Sequence, residues 1–205
     1  MVTPAPIIIQ VVKRFGLCGG MEEYVFRLSS SLDDLGYQVL VLCEEKVNLP
    51  ELCTIKVVQL GKSKAKPRWY SHFQFSIKVK DWLQLNIPQK YLLHSHERIT
   101  GHHITTQHST LFNFPRKLGF PSFRKFFNEK LEIREINEKS VSCVVPVSKV
   151  IGEQIERKFP QFVSKLTKPI NPGVSQIVFQ KTKGSSNDSL KIGFIGEEWK
   201  RKGLP

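Results

Sequence analysis

The sequence predicts an α/β protein with a Rossmann-like, doubly wound and mainly parallel sheet. Short apolar, β-branched runs alternate along most of the chain with longer segments whose apolar residues recur at helical spacing. This alternation is typical of strand–helix–strand units, which build parallel sheets. Such sheets bind ligands at the carboxyl ends of their strands, so residues that directly follow predicted strands are the first candidates for function.

The first predicted strand is the apolar run Ile7–Val12, which lacks the basic leader and small-residue cleavage site of a signal peptide. A helix that Gly36 ends is predicted next by six residues at helical spacing: Met21, Tyr24, Val25, Leu28, Leu32 and Leu35. The β-branched runs Gln38–Cys43 and Ile55–Gln59 predict short strands, and Trp69–Leu85 predicts a less regular helix.

The second half of the chain continues the alternation. A long charged helix is expected over Phe123–Lys139. Ser148 is a suitable N-cap for a further helix, which Pro160 would end. Three more strands are predicted: Tyr91–His94, Ile104–Thr106 and Cys143–Val147.

A break in composition divides the chain into unequal parts. Residues 181–189 are polar and small, as linkers are. We therefore predict a Rossmann-like N-terminal domain over residues 1–180 and the beginning of a second domain over residues 190–205. The strand and glycine turn of that second part have no following helix to cover them, so we expect the second domain to be truncated.

The charge of the chain predicts an anionic partner. Lysine and arginine number 31 against 18 acidic residues, which gives a formal net charge of +13. Nucleic acid, anionic lipid, phosphorylated glycans and nucleotide-sugars all fit this charge. No nucleic-acid recognition motif is visible, so we expect no nucleic-acid partner; a steep salt dependence of nucleic-acid binding would support that alternative.

Two further compositional features bear on location and cofactors. No apolar run approaches the ~20 residues that cross a bilayer, so we expect a cytoplasmic protein. The cysteines and histidines follow no zinc-binding pattern, so no metal is expected. Reduced, mostly buried thiols are expected at the four irregularly spaced cysteines: Cys18, Cys43, Cys53 and Cys143.

A glycine loop connects the first predicted strand to the first predicted helix. Its sequence over residues 15–22 is Phe-Gly-Leu-Cys-Gly-Gly-Met-Glu. Gly19 and Gly20 would let the backbone approach a ligand closely, and free N–H groups at a helix start favour phosphate. The loop matches neither the dinucleotide fingerprint nor a Walker loop. A tight turn that needs glycine only for its geometry is an equally weighted alternative.

Histidines are concentrated around the next two strands. Beside Glu97 and Arg98, five of the six histidines fall within fifteen positions, at the expected ligand-binding edge: His94, His96, His102, His103 and His108. Histidine titrates near neutral pH, which suits a general base or a hydrogen-bonding partner of a substrate. For any one of them, fixing a loop is the alternative.

Residues 112–130 mix aromatic and basic side chains, with six phenylalanines and five cations against one acid. This composition suits contact with an anionic membrane surface, and less well the binding of single-stranded nucleic acid. An apolar stripe of Phe123, Phe126 and Phe127 in the core is the structural alternative. The expected membrane contacts are Arg116, Lys117, Phe123, Arg124 and Lys125.

Taken in order, these motifs resemble family 4 glycosyltransferases of the GT-B type, from Ile7 to Leu204. The spacing from Gly196 to Gly203 is most similar to that of the lipopolysaccharide core glucosyltransferases, which are membrane-associated. Six segments carry the resemblance: the Gly19-Gly20 loop, Leu93–His96, Ile104–His108, Val144–Ser148, Asn171–Val174 and Arg201–Gly203.

The resemblance implies the N-terminal domain of a hexosyltransferase that moves a sugar from a nucleotide-sugar to a glycan or glycolipid acceptor. Bacterial envelope polysaccharide or lipopolysaccharide synthesis would be its setting, with the protein peripheral on the inner face of the plasma membrane. The donor would be a UDP-sugar, and no cofactor would be needed. The sequence departs from the family at Glu197, where arginine is common, and at Ser175, where aspartate is common.

The same resemblance assigns roles to individual residues. His108 would be the catalytic contact or base beside the transferred sugar. The acceptor side would include His94, His96 and Glu97. Four residues would bind the donor diphosphate: Gly19, Gly20, Arg201 and Lys202. Because the family's donor-binding domain would follow Pro205, we expect the 205-residue chain alone to be inactive. A non-catalytic module that binds anionic lipid or glycan is the alternative.

Overall fold

The computed structural model of the protein describes residues 6–87, 90–111 and 123–173, with only the backbone described for residues 123–125. These ranges belong to one compact unit, Met1–Gly173. The predicted linker and the start of the second domain lie outside the described residues, so the predicted domain boundaries stay predictions.

The described part of the chain alternates strands and helices as expected. The helices are α1 (Gly20–Asp34), α2 (Arg68–Asn86), α3 (Phe123–Asn137) and α4 (Lys149–Lys158), and a 3₁₀ turn follows at Pro160–Lys165. The strands are β1 (Ile7–Val11), β2 (Arg14–Phe15), β3 (Val39–Cys43), β4 (Glu45–Lys46), β5 (Lys56–Gln59), β6 (Tyr91–Ser95), β7 (Ile104–Gln107) and β8 (Cys143–Pro146).

Six of the strands form one parallel sheet in the order β5-β3-β1-β6-β7-β8. The chain runs outward from β1 to β5 on one side and then returns to β6 on the other side of β1. The predicted Rossmann-like, doubly wound sheet is thereby confirmed. The order of strands reverses between β1 and β6, and ligands of such sheets bind at this reversal point.

The helix ends follow the local signals in the sequence. Ser148 caps α4, because its hydroxyl accepts a hydrogen bond of 3.3 Å from the Ile151 N–H. That helix ends at Lys158, two residues before Pro160. Gly36 follows α1 with a φ of +84°, a left-handed conformation that glycine adopts without strain.

The pleat of β1 divides the core between the two faces of the sheet. Alternate residues of a strand point to opposite faces, and Ile9 and Val11 pack with Phe75 and Val79 of α2. Val25 of α1 belongs to a second apolar cluster. The same alternation continues past the strand ends, so neighbouring residues there face either α1 or the α2–α3 side.

Strands β2 and β4 form a separate two-stranded parallel sheet that the sequence did not predict. Arg14 pairs with Glu45 and Phe15 pairs with Lys46. Each strand has two residues, which is too short for any periodicity to be read from a sequence. The pair joins the loops that follow β1 and β3, and the Phe15 side chain is completely buried there.

Candidate functional site

A cavity of about 1230 Å³ lies at the carboxyl ends of the central strands, where the strand order reverses. Residues from the loop after β1, from α2 and from the segments after β6 and β7 line it, among them Lys13, His72, His96, Glu97 and His108. The volume is somewhat above the range usual for pockets that bind small molecules. The cavity is therefore where the expected strand-end side chains meet.

On the α1 side of the sheet, the side chains of Gln10, His96 and His108 form a hydrogen-bonded chain that ends at the cavity. His96 directly follows β6, and its Nε2 lies 2.9 Å from Oε1 of Gln10. Its Nδ1 lies 3.0 Å from Nε2 of His108, which directly follows β7. The Tyr24 ring meets both imidazoles edge-on, with ring centroids 5.8 Å from His96 and 5.1 Å from His108.

His94 stands beside this chain without lining the cavity. Its ring centroid lies 4.4 Å from that of His96, and its Nε2 lies 2.7 Å from Oγ1 of Thr106. Burial lowers the pKa of His94 to about 4, with His108 adding a smaller electrostatic effect in the same direction. His94, predicted to lie on the acceptor side, therefore contacts His96 but does not itself line the cavity.

Burial keeps the two histidines of the chain uncharged. It lowers the pKa of His108 to about 4, against a weaker opposing effect of Glu22. It lowers the pKa of His96 well below the usual value, assisted by the neighbouring histidines. Both rings are therefore neutral at pH 7, and each carries a single N–H.

On the opposite face, Glu97 and His72 form a second polar group. Glu97 Oε1 accepts a hydrogen bond of 3.3 Å from the Lys13 backbone N–H. Its Oε2 lies 3.5 Å from Nδ1 of His72 in α2, and within the described part of the chain that buried nitrogen has no hydrogen-bond partner. Lys13 Nζ donates to Ser71 Oγ at 2.6 Å.

The two members of this pair have opposite pKa shifts. Burial raises the pKa of Glu97 to about 7, although the nearby Lys13 cation opposes the shift. Burial lowers the pKa of His72 to about 3, and surrounding cations add to the effect. His72 is therefore neutral at pH 7, and its contact with Glu97 is polar and not ionic. A neutral imidazole can donate one hydrogen bond and accept another, and a carboxyl group beside it can accept. This pair therefore suits ligand hydroxyl groups better than a pair with a charged imidazole would.

The helix α3 is held against the end of β7 by buried carboxylates. Glu135 accepts from Thr105 Oγ1 at 2.7 Å and from Gln107 Nε2 at 2.6 Å, and burial raises its pKa to about 7. Glu132 accepts from Arg98 at 3.2 Å and from Lys158 at 2.8 Å. Arg98, which the sequence placed beside the histidines, is thus tied to α3.

Within the glycine loop, only some positions require glycine for their backbone geometry. Gly16 has a φ of +137°, and a Cβ there would lie 1.8 Å from the Val47 carbonyl oxygen, so geometry requires glycine. Gly19 is the N-cap of α1 in an extended conformation, and a Cβ on the first helical residue, Gly20, would meet nothing within 4 Å. The turn-geometry alternative therefore explains Gly16 but not Gly20.

A side chain of the protein itself covers the start of α1. Glu22 Oε1 accepts from Arg14 Nη2 at 2.7 Å and from Nε at 3.1 Å. Its other oxygen, Oε2, would lie 2.4 Å from a Cβ placed on Gly19. The carboxylate thus lies at the positive end of the helix dipole, where a ligand phosphate was expected.

The structure separates the five clustered histidines. His96 and His108 reach the cavity, but His102 and His103 precede β7 and lie at its opposite end. His102 is fully buried, and His103 Nδ1 accepts from the Leu93 N–H at 2.9 Å. The expectation that all five lie at the ligand edge is wrong for these two, because a strand of four residues separates them from that edge.

Several predicted residues lie outside the described part of the chain. This applies to Arg201, Lys202, Arg116 and Lys117 and to the side chains of Phe123, Arg124 and Lys125. Two nearby side chains are described: Phe126 is 46% exposed, and Phe127 stacks on Trp69 at 4.3 Å between ring centroids. A core position is therefore wrong for Phe126.

The cysteines, and the groups that could hold a metal or cross a membrane, can be compared with expectation over the described residues. No group of three or more His, Cys, Asp or Glu is arranged to hold a metal ion there, and both nitrogens of His96 are already hydrogen-bonded. All four cysteines are free, but only Cys43 is buried, so the expectation of mostly buried thiols is wrong. Among the helices that are described, none has the length and apolar character to cross a membrane.

Comparison with known proteins gives a family match and a fold match. Residues 18–175 match the family model described as Glycosyltransferase Family 4. The fold is similar to that of WaaG, a glycosyltransferase involved in lipopolysaccharide biosynthesis, with a TM-score of 0.63 and 10% identity over 78% of this chain and 44% of WaaG. No curated protein matches the sequence.

A second solved structure, a glycosyltransferase from Rickettsia africae ESF-5, aligns with a TM-score of 0.47 and 16% identity. That alignment covers 79% of this chain and 42% of the other. The chain thus spans less than half the length of either solved structure.

Proposed function

Because the chain belongs to glycosyltransferase family 4 as a GT-B-type N-terminal domain, we propose that it is the acceptor-side domain of a hexosyltransferase. The transferase moves a sugar from a nucleotide-sugar, a UDP-sugar, to a glycan or lipid-linked acceptor. The observation that carries the proposal is the cavity at the reversal point of the sheet, whose wall includes both the neutral His108 ring and the Glu97–His72 pair.

The chemistry of the cavity suits a carbohydrate. In the reaction, an acceptor hydroxyl oxygen forms a bond to the anomeric carbon of the donor, and the bond from that carbon to the diphosphate breaks. His108 contacts the transferred sugar as a hydrogen-bonding partner or as the base that takes the hydroxyl proton. Glu97 and the neutral His72 offer further hydrogen bonds to the acceptor. Trp69 supplies an aromatic ring in the cavity wall.

The departing diphosphate needs positive potential. Gly19 and Gly20 stand at the start of α1, a 15-residue helix whose first N–H groups favour an anion, and a diphosphate bound there would displace the Glu22 carboxylate that now lies at this end. Arg201 and Lys202 are the further cations that we propose for the diphosphate, on the basis of their Arg-Lys-Gly sequence alone. No cofactor takes part in this scheme.

Replacing His108 with alanine is expected to lower sugar transfer by about 100-fold, the lower end of what a positioned acid or base contributes. The assay uses the protein as its gene encodes it, a panel of radiolabelled UDP-sugars and membranes of its own cells as the acceptor source. His103→Gln is the matched control, because His103 lies at the far end of β7. Equal transfer by His108→Ala and the control would rule out the role proposed for His108.

We propose a setting in envelope polysaccharide or lipopolysaccharide synthesis, supported by the resemblance in the spacing of Gly196 to Gly203 and by the similar fold of WaaG, which is involved in lipopolysaccharide biosynthesis. We propose further that the domain binds the inner face of the plasma membrane through the cations and phenylalanines of residues 112–130. The net charge of +13 favours such an anionic surface. A non-catalytic module that only binds lipid or glycan would share this feature.

Reversing charge at both Arg116 and Lys117 to glutamate is expected to weaken sedimentation with vesicles of anionic phosphatidylglycerol by about 10-fold or more, at roughly 1 kcal/mol per cation near the surface. The wild-type protein should bind less as salt rises, and vesicles of neutral phosphatidylcholine provide the control. Equal binding to both vesicle types would contradict membrane attachment. Strong anionic binding with no transfer from any UDP-sugar would favour the binding module.

A further inference from the structure

Gln10 is a polar residue in the middle of an otherwise apolar strand. It stands in β1, Ile-Ile-Ile-Gln-Val, and its side chain is completely buried. Burying an amide is unfavourable unless it is hydrogen-bonded, and its Nε2 has no partner among the residues that the structure describes. The only hydrogen bond of the side chain in the described structure is the one that Oε1 accepts from His96 Nε2. A polar residue in a buried strand departs from the expected apolar pattern, and such departures indicate a role beyond packing.

The contact between Gln10 and His96 determines which atom donates in each hydrogen bond from Gln10 through His96 to His108. The amide oxygen of Gln10 can only accept, so His96 Nε2 donates to it at 2.9 Å. A neutral imidazole has one N–H, which leaves the Nδ1 of His96 as an acceptor. His108 Nε2 therefore donates to that atom at 3.0 Å, and the Nδ1 of His108 carries no proton.

We propose that Gln10 and His96 are positioning residues that fix the tautomer of His108, so that its Nδ1 lone pair accepts a hydrogen bond from a carbohydrate hydroxyl in the cavity. This inference rests on the proposed function, because the hydroxyl belongs to the transferred or accepting sugar. Tyr24 holds both rings in place by its edge contacts.

The arrangement also defines which chemical group the site selects. An unprotonated ring nitrogen accepts from a hydroxyl but offers nothing to an ether or a carbonyl oxygen. A sugar that is deoxygenated or O-methylated at that position therefore loses the contact. A reversed chain, with the Gln10 NH₂ donating to His96, would put the proton on His108 Nδ1 and select an acceptor group instead.

The test reads the tautomers directly. The 205-residue chain is labelled with ¹⁵N in its histidine rings, and spectra that correlate ring carbon-bound protons with both nitrogens identify the protonated one. His108→Gln assigns the His108 signals by their loss. The expected wild-type pattern is Nε2 protonated and Nδ1 unprotonated for both His96 and His108. A proton on Nδ1 of His108 overturns the proposal.

Two variants at position 10 test the cause of the pattern. Gln10→Leu removes the acceptor, so the His108 signals should split between tautomers or shift to the Nδ1-protonated form. Gln10→Glu keeps an oxygen facing His96 and should retain the wild-type pattern. An unchanged pattern in Gln10→Leu overturns the proposal. If the leucine variant does not fold, the tautomers of the wild type and of Gln10→Glu still test the proposal, because a proton on Nδ1 of His108 in either protein overturns it.

A kinetic readout separates this inference from the proposed function. With the protein as its gene encodes it, Gln10→Leu should lower kcat for transfer from the UDP-sugar that the wild type uses by about 10-fold, the scale measured when the hydrogen-bond partner of a metal-ligating histidine is removed, while Gln10→Glu retains most of it. No transfer by the wild type from any UDP-sugar, together with the expected tautomers, would refute the transferase and leave the positioning chain intact. Normal transfer by Gln10→Leu would refute the positioning chain alone.

Discussion

Replacing Gly16 with alanine is expected to lower the free energy of unfolding by at least about 3 kcal/mol. The φ of +137° at this position is strained for any residue with a side chain. The added Cβ would also lie 1.8 Å from the Val47 carbonyl oxygen, which is a backbone atom. That backbone is fixed, because the Val47 N–H donates to the Phe15 oxygen at 2.9 Å. Urea denaturation followed by circular dichroism measures the loss.

Gly20→Ala is the matched control in the same loop. Gly20 is helical, and its added Cβ would meet nothing within 4 Å, so we expect a change within about 1 kcal/mol, in the stabilising direction. A similar loss for both variants would show that the effect is not specific to Gly16 and would contradict the clash at Gly16 as the cause.

Lowering the pH from 7 to 5 is expected to lower the free energy of unfolding by about 4 kcal/mol. Burial lowers the pKa of five histidines far below the value they have in an unfolded chain: His72, His94, His96, His102 and His108. In the window from about pH 6.5 down to 4.5, these histidines bind protons when the chain unfolds but not in the folded state. Stability therefore falls as the pH falls through this window.

Two buried carboxyl groups act in the opposite direction. The pKa of Glu97 and that of Glu135 are both raised to about 7, so in the same window they are protonated in the folded state and release protons on unfolding. Near pH 5 the unfolded state still binds about three more protons than the folded state. Each contributes about 1.4 kcal/mol per pH unit, so the free energy of unfolding falls by about 4 kcal/mol per pH unit near pH 5 and by less closer to pH 7.

Calorimetry between pH 7.5 and 5 measures this dependence as a fall in Tm. His102→Asn removes one of the five histidines at a position away from the cavity, so its Tm should vary less steeply with pH than that of the wild type. A Tm that stays constant from pH 7 to 5 would mean that the buried histidines do not control the acid stability.

Local patterns were sufficient for the four helices and for the six strands of the main sheet. The apolar run predicted β1 to within one residue, and the charged pattern from Phe123 onward predicted α3 to within two. These signals depend on neighbours along the chain, which is why they could be read without a structure. The short strands β2 and β4 were missed because they exist only through the contact between two loops.

The candidate site could be predicted only in part. His96, Glu97 and His108 follow strands, and that position alone places them at the carboxyl edge of a parallel sheet. The polar Gln10 within an apolar run was a visible signal that the sequence analysis did not use. His72 gave no such signal, because a histidine within a helix is not distinguished by its spacing from any other polar residue.

The sequence by itself determined the class of fold, the positions of the strand ends and the family, because each depends on short segments read one at a time. Only the tertiary structure decided which of those segments meet. Gln10, His96 and His108 form one chain because β6 returns to lie beside β1 and β7 lies beside β6. His96 and Glu97 face opposite sides of the sheet because successive residues along a strand alternate between its two faces. The groups that each of them then meets come from segments that are distant in sequence.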